Sequence, residues 1–474
     1  MPIVLDTLLD HPIIATVEAV AHRLKVPAYI VGGAVRDYFL KRKVKDIDIL
    51  VVGDGVDFAK EVAKEYQAES NLSVFKTFGT AHLALSDLDI EFVGARKESY
   101  VQESRKPDVV AGTLEDDLSR RDFTINTLAV SLNKEDRGEI IDLFHGLTDL
   151  NDKVLKTPLD PDITFSDDPL RMMRGIRFAS QLHYRLEYHT YEAIHHNKDR
   201  LQIVSQERIT DELNKIVMSP VPSVGFILLE ECGLLDLILP ELVTLKGVST
   251  VDNKSHKDNF YHTLQVLDNV AKMSDNLWLR WAAILHDIGK PASQRFDPKE
   301  GFTFHGHEVI GARMTPYIFK KLKLPLNEHV KYVQKMVLLH LRPIALTHEV
   351  TDSAVRRLII DTGDDIEELL QLCKADVTSK NPEKVKRYLK RFDEVWEKIC
   401  EVEEMDRLRN WNPPITGEII METFGISPSR DVGIIKDAIR EAILNGDIHN
   451  EYEEAYNLML KLGADIGLHS KKSS

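Results

Sequence analysis

Cysteine is scarce in this 474-residue chain. The three that occur, Cys232, Cys373 and Cys400, show no metal-type spacing and cannot build a disulfide framework, so they suit a reducing compartment. Long apolar runs are missing as well: none reaches the ~20 residues that a membrane helix needs, which excludes a membrane partner. The first Lys or Arg is Arg23, so the basic n-region of a secretory signal is absent and the expected location is cytoplasmic. There is no internal repeat and no low-complexity tract. Nor is there a global basic excess, since the net charge is −15. That balance weighs against nucleic acid as a partner and by itself favours a small-molecule enzyme. Any RNA contact must come from local basic patches.

Hydrophobic residues make up 43% and charged ones 29%, the profile of a soluble globular chain long enough for two to four domains. Ala28–Val31 reads as a buried strand ending in two glycines, and Val35–Leu40 as a helix. Ile47–Val52 is a second strand, Val56–Tyr66 a second helix, and Leu72–Phe75, His82–Leu85 and Ile90–Val93 extend the sheet. After about Asn151 strand signals fade. Asp168–Gln181, Thr190–His196, Glu207–Met218 and Val224–Glu231 space their apolar residues by three and four. From Phe260 the pattern is helical to the C-terminus, with loops expected near Pro291, Pro343, Pro382 and Pro413-Pro414 and a disordered tail over His469–Ser474. The expected fold class is α+β.

Gly32-Gly33-Ala34-Val35-Arg36-Asp37 follows a strand and opens a helix, where glycines let backbone amides approach phosphate oxygens. A tight structural turn would read the same way. Asp46-Ile47-Asp48 starts the next strand. Strand side chains alternate faces, so the two carboxylates share one side while Ile47 and Ile49 take the other. Two carboxylates held that close repel unless a cation neutralises them, and Mg²⁺ is the hard ion that completes its shell with substrate phosphates. A solvated strand end is the plain alternative for Asp-x-Asp alone; the glycine turn before it favours the metal. Asp89 and Glu91 share a strand face too, with Glu91 a candidate third carboxylate and an exposed acidic edge the competing explanation.

GGAVRD at 32–37, DID at 46–48 and RRDFTIN at 120–126 resemble the motifs of the bacterial class II tRNA nucleotidyltransferase and poly(A) polymerase family. Asp167-Asp168-Pro169-Leu170-Arg171-Met172-Met173-Arg174 is similar to that family's nucleotide-selecting helix, and Glu207-Arg208-Ile209 to its next motif. The resemblance runs from about Tyr29 to Lys215. It implies that Asp46 and Asp48 are catalytic and hold Mg²⁺, that Gly32, Gly33 and Arg36 contact a triphosphate, and that Arg121, Asp122 and Asn126 bind ribose and phosphate. Asp168 and Arg171 then lie at i and i+3 on one helix face, with Arg174 a turn on. A carboxylate accepts from the exocyclic amine shared by cytosine and adenine, while arginine donates to the ring nitrogen beside it. Such a pair acts as a template admitting CTP and ATP; an ordinary surface salt bridge is the alternative. Asp142-Leu143-Phe144-His145-Gly146 departs at two positions from the family's DPFGG-like turn, and Asp167 stands where Glu is common. Glu103–Asp108 resembles the loop associated with switching from C to A addition, which favours full CCA addition. A localised basic channel of Arg96, Arg105, Lys106, Arg120, Arg121, Arg174 and Arg177 is expected to receive the tRNA.

A second pattern follows in His262, His286-Asp287 and Asp376. His286-Asp287-Ile288-Gly289-Lys290 after an apolar run resembles the HD phosphohydrolase motif, and imidazoles with carboxylates suit a divalent metal of unspecified identity that activates water against a phosphoester. His305, His307 and His340 lie between and are candidates for a second metal or for phosphate. Cys373 reads as helix packing; Arg356, Arg357, Lys384 and Lys386–Arg391 form a basic region that reads as a solvated helix face, with RNA contact the alternative. The resemblances together imply a polymerase-beta-type nucleotidyltransferase head (1–150), an all-α neck and body (151–250), a helical HD domain (251–380) and a helical C-terminal region (381–474). The leading reading is CCA addition to tRNA from CTP and ATP with an appended phosphohydrolase. A poly(A) polymerase on the same scaffold is the near alternative, and an HD phosphohydrolase with a non-catalytic RNA- or nucleotide-binding N-terminal half the one of a different class. The sequence is silent on oligomeric state.

Overall fold

The computed structural model describes residues 9–75, 79–99, 108–248, 250–251, 254–255, 258–346, 351–379, 381–406 and 414–470. The chain divides into two compact units, Met1–Val243 and Thr244–Ser474. Among the described residues no helix is long and apolar enough to cross a membrane.

The first unit is built on a seven-stranded sheet. Its strands are β1 (Ala28–Val31), β2 (Asp46–Val51), β3 (Leu72–Phe75), β4 (Thr80–Ala84), β5 (Asp89–Gly94), β8 (Ala129–Ser131) and β9 (Ile140–Ile141), with β6 (Arg96–Ser99) and β7 (Asp108–Ala111) forming a separate hairpin. The order is β3-β4-β5-β2-β1-β8-β9. Among the described residues of this sheet only β2 and β5 pair in parallel; the helix Gly55–Glu65 and strands β3 and β4 lie between them in the chain, and the β2–β5 register sets Asp46 opposite Asp89 and Asp48 opposite Glu91. One face packs Ile30, Ile47, Ile49, Val51, Ile90 and Phe92 against the helices Pro12–Leu24 and Gly55–Glu65. The alternation along β2 leaves Asp46 exposed and Asp48 half-buried on the opposite face, as period-two patterning requires. The expected α+β class is what the chain adopts.

The helices Pro161–Asp167, Leu170–Leu182, Tyr188–Asn197, Gln206–Val217 and Pro222–Glu231 complete this unit. One boundary differs from the sequence reading in a way that matters. Asp168 is not helical: it ends one helix in extended geometry (φ −134°, ψ 98°), and the next begins after Pro169. Proline disfavours α geometry in the residue before it, so a single periodic run from 168 to 181 cannot form. Asp168 and Arg171 therefore do not share a helix face.

The second unit is helical, with a buried core that includes Phe260, Leu267, Trp281, Ile284, Phe319, Val337 and Leu372. Three further helices, Gly417–Phe424, Arg430–Asn445 and Tyr452–Asp465, close on Ile420, Ile435, Ile439 and Met459. Two features depart from the purely helical expectation. Arg295–Asp297 and Gly301–Thr303 form a hairpin with Phe296 edge-on to Phe302. Pro291, Pro343 and Pro382 sit in the first turns of helices rather than in loops, where a missing N–H costs nothing. Pro413 and residues 471–474 of the tail lie outside the described residues.

Candidate functional site

In the first unit, the turn after β1 begins at Gly32, whose φ of 77° only glycine adopts without strain. A β-carbon there would lie 2.5 Å from Arg121 Nη1 and 3.5 Å from Asp48 Oδ2. The turn thus brings the Arg121 guanidinium next to the Asp48 carboxylate. Asp117, fully buried, anchors the two arginines that open the RRDFTIN segment: it accepts from Arg120 Nε at 3.0 Å and from Arg121 Nη2 at 3.2 Å. The sequence reading missed Asp117, because an acidic residue in a helix first turn normally faces water.

Burial pushes the Asp48 carboxyl above its ordinary value, and Glu91, Asp46 and Asp117 add to this while Arg121 opposes it. Asp46, Asp48 and Glu91 share one sheet face, with Glu91 opposite Asp48 across β2 and β5, and offer only oxygen ligands. That set fits a hard divalent cation such as Mg²⁺.

A chain of hydrogen bonds runs away from the carboxylates. Arg36 donates to Asp37 Oδ1 and Oδ2, each at 2.9 Å, and to Asn126 Oδ1 at 2.7 Å. Asn126 Nδ2 donates to Asp122 Oδ1 at 2.8 Å, and Arg174 holds Asp122 Oδ2 at 2.6–2.7 Å. Burial would raise Asp122, but the Arg174 charge, the bonds from Asn126 and Arg174, and the Arg171 charge hold it well below the usual carboxylate range. Phe178 lies under this network, with Arg36 5.0 Å and Arg177 4.3 Å from its ring centre. Burial lowers Arg177 to about 10 despite its pairing with Glu212.

The turn carrying Asn126 is wedged by the helix Gly146–Asp152. A β-carbon on Gly146 would stand 2.3 Å from Thr124 O, so the two backbones touch. Asp142 caps this helix through Gly146 N and Leu147 N at 2.7 and 3.0 Å. His145, one of the two departures noted in that turn, sits at φ 59°, in the left-handed region that glycine occupies more cheaply.

Gly33, Arg36, Asp48, Arg121, Asp122, Asn126, Asp168, Arg171 and Arg174 all line one cavity of about 520 Å³. Asp46 and Gly32 stand beside it without lining it. Seven arginines (36, 120, 121, 171, 174, 177, 208) face three aspartates (48, 122, 168) on its walls, a local basic excess inside an acidic chain. Of the expected basic channel, Arg120, Arg121, Arg174 and Arg177 are here and Arg96 is not; Arg105, Lys106 and the loop 103–107 lie outside the described residues. Arg171 does not pair with Asp168. It donates to Thr164 O at 3.3 Å and Arg120 O at 2.5 Å, tying the helix to the head. The nearest cation to Asp168 is Arg208, at 3.7 Å.

The second unit gathers His262, His286, Asp287 and Asp376, as expected, together with His307 and His340. Two groups of metal-capable donors result, His262–His286–Asp376 and Asp287–His307–His340. His305 is exposed and belongs to neither. Burial pushes His262 down and His340 down to about 4. Burial opposes charge on Asp287 as well, yet His286, His307 and Lys290 hold it well below the ordinary value. Burial opposes charge on His286, yet the Asp287 charge, the bond to Asp287 and the Asp376 charge raise it above its ordinary value, with Nε2 3.2 Å from Asp287 Oδ2; imidazoles and carboxylates gathered this closely fit a metal ion. Cys373 is buried and its Sγ donates to His340 O at 3.0 Å, a packing role. Arg357 pairs with Glu441 at 2.7 Å.

A sheet carrying paired carboxylates beneath an arginine-rich cavity, followed by a helical body, defines an enzyme of nucleotidyl transfer. Residues 28–156 match the family described as "Poly A polymerase head domain", residues 183–245 "Probable RNA and SrmB- binding site of polymerase A", and residues 259–381 the "HD domain". The A-adding tRNA nucleotidyltransferase of Deinococcus radiodurans is 33% identical over 72% of this chain and 77% of its own length. The Multifunctional CCA protein of Shewanella frigidimarina is 34% identical over 64% of this chain and 70% of its own. With the A-adding tRNA nucleotidyltransferase of Aquifex aeolicus identity rises to 46%, over 34% of this chain and only 19% of that much longer protein. In fold the chain resembles a CCA-adding enzyme in apo form II, with TM-score 0.63, 21% identity and 96% of each chain covered. A Thermotoga maritima CCA-adding enzyme complexed with tRNA gives TM-score 0.59 at 20% identity, again over 96% of each chain. The chain belongs to the tRNA nucleotidyltransferase family.

Proposed function

We propose that this enzyme adds CCA to tRNA 3′ ends, using CTP and ATP. One observation carries the reading: Asp48, Arg121, Asp122, Asn126, Asp168 and Arg171 converge on a single cavity. Asp46 and Asp48, with Glu91 beside them, would hold Mg²⁺, which supplies activation of the attacking 3′-hydroxyl and charge neutralisation at the pyrophosphate. Arg121 lies over the Gly32 turn and binds triphosphate oxygens there, with Arg36 behind it. Asp122 and Asn126 orient the ribose, and Arg174 keeps Asp122 ionised. Asp168 accepts from the exocyclic amine of cytosine or adenine. Arg171, anchored to two backbone carbonyls, retains further N–H donors for the base, and Arg208 is a second donor at that place.

A second reading is favoured by the A-adding relatives: addition of the terminal A alone. The experiment offers CTP and ATP, separately and together, to a tRNA lacking CCA and to one ending in CC. Two C residues followed by one A on the first substrate support CCA addition. Extension of only the CC-ended tRNA, by one A, would replace it with the A-adding reading. Long runs of A would mean a poly(A) polymerase.

For the second unit we propose metal-dependent phosphoester hydrolysis, supported by the HD-family match and by His262, His286, Asp287 and Asp376 meeting in one buried cluster.

A further inference from the structure

Asp117 divides its two oxygens between consecutive arginines. Oδ1 accepts from Arg120 Nε at 3.0 Å and Nη2 at 2.5 Å, and Oδ2 accepts from Arg121 Nη2 at 3.2 Å. The carboxylate is wholly buried, so solvent does not screen these bonds. The two arginines then serve different walls of the cavity. Arg121 Nη1 lies over the Gly32 turn, beside Asp48. Arg120 O accepts from Arg171 Nη2 at 2.5 Å, on the wall that also carries Asp168. We infer, building on the nucleotidyl-transfer reading above, that Asp117 is a positioning residue that ties both ends of the nucleotide site to one carboxylate. It holds Arg121 for the triphosphate and, through Arg120, Arg171 for the base.

Two features make Asp117 a fixed reference point. Its helix, Leu114–Ser119, is capped reciprocally: Thr113 Oγ1 accepts from Asp116 N at 3.1 Å, and Asp116 Oδ2 accepts from Thr113 N at 2.9 Å. The next residue, Leu118, belongs to one buried cluster with Val31, Leu50 and Ala129. Leu50 is two residues along β2 from Asp48 and so shares its face, and Val31 immediately precedes Gly32. The helix is thereby seated on the sheet face that carries Asp46 and Asp48. An arginine samples many rotamers, and one held in place before the substrate arrives loses less freedom on binding. On the base side, Arg171 keeps its bond only while the Arg120 carbonyl stays put, and the Arg120 side chain pins that residue to Asp117. The competing account is a folding staple, in which two guanidiniums satisfy a buried carboxylate and do nothing more.

The test uses the full chain and a tRNA ending in CC, a substrate under CCA addition and terminal-A addition alike. Inorganic tripolyphosphate carries no base, so its inhibition constant reads the triphosphate arm. The ratio of kcat/KM for ATP over GTP reads the base arm. Neither quantity depends on the fraction of enzyme that is folded. Asp117→Asn keeps the shape and removes the charge; it is expected to weaken tripolyphosphate inhibition and to lower the ATP preference, each by about 10-fold. Arg121→Gln should produce the first change alone, and Arg120→Gln the second alone. Asp117→Asn enzyme with a lower kcat or melting temperature but both readouts at their parent values would overturn the coupling and leave the staple. A shift in only one readout would overturn it as well. Where Asp117→Asn does not fold, the arginine variants decide, because an unchanged ATP preference in Arg120→Gln breaks the link to Arg171. Absence of any addition by the parent enzyme would overturn the nucleotidyl-transfer reading and the coupling together.

Discussion

Arg121 Nη1 occupies the space into which any side chain at residue 32 would project, 2.5 Å from where its β-carbon would be. The positive φ of Gly32 and the position of the guanidinium beside Asp48 are two sides of one constraint. Gly32→Ala is expected to displace Arg121, lower nucleotide addition by about 10²-fold or more, roughly 3 kcal/mol of barrier, and leave phosphoester hydrolysis unchanged. Steady-state rates for both reactions on one preparation check this. Equal loss of both would mean global unfolding instead.

Asp46→Ala should abolish nucleotide addition, by about 10³-fold or more, and spare hydrolysis, while His286→Ala should do the reverse. Chelation should stop both, and Mg²⁺ alone should restore the transfer. Failure of both substitutions to affect their own reaction would sink the assignment of two separate sites.

Asp168→Ala removes the carboxylate that faces the cavity without touching Asp46 or Asp48. Discrimination of CTP and ATP over UTP and GTP should fall by about 10- to 100-fold, matching the ~1–3 kcal/mol of a base-edge contact. Single-nucleotide incorporation with each of the four triphosphates measures it. Unchanged selectivity would move the template role to Arg171 and Arg208.

The depressed Asp122 carboxyl has a consequence for stability. A group whose folded pKa lies below its unfolded value stabilises the fold at pH above the unfolded value, about 4, and that contribution is lost as pH falls through the folded one. Arg174 keeps 35% of its side chain exposed, so solvent screening discounts the pair to about 1–3 kcal/mol. Asp122→Asn should therefore lower the denaturation midpoint of the first unit at pH 7, with the gap to the parent narrowing below about pH 3. A gap independent of pH would show that shape, not charge, is what Asp122 supplies.

Much of the site was legible because its signals are local. Asp46-Ile47-Asp48 needs only strand alternation to place two carboxylates on one face, and the glycine turn needs only its position after a strand. Other parts were not. Asp117 reads as one more acid in a helix first turn, and only packing shows it buried beneath Arg120 and Arg121. Phe178 reads as a core residue of its helix, and only the tertiary structure puts Arg36 over its ring. The Asp168–Arg171 helix pair failed because Pro169 overrode the periodicity, a signal present in the sequence and underweighted.

The sequence by itself determined the α+β class, the order of the motifs and which residues carry oxygen and imidazole donors, since these depend on periods of two and three to four residues and on residue chemistry. Tertiary structure alone decided that β5 sets Glu91 beside Asp48, that Arg171 spends its donors on backbone carbonyls rather than on Asp168, and that His307 and His340 face Asp287. Strand pairing and helix packing join residues tens of positions apart, and no local periodicity encodes which of the possible partners will meet.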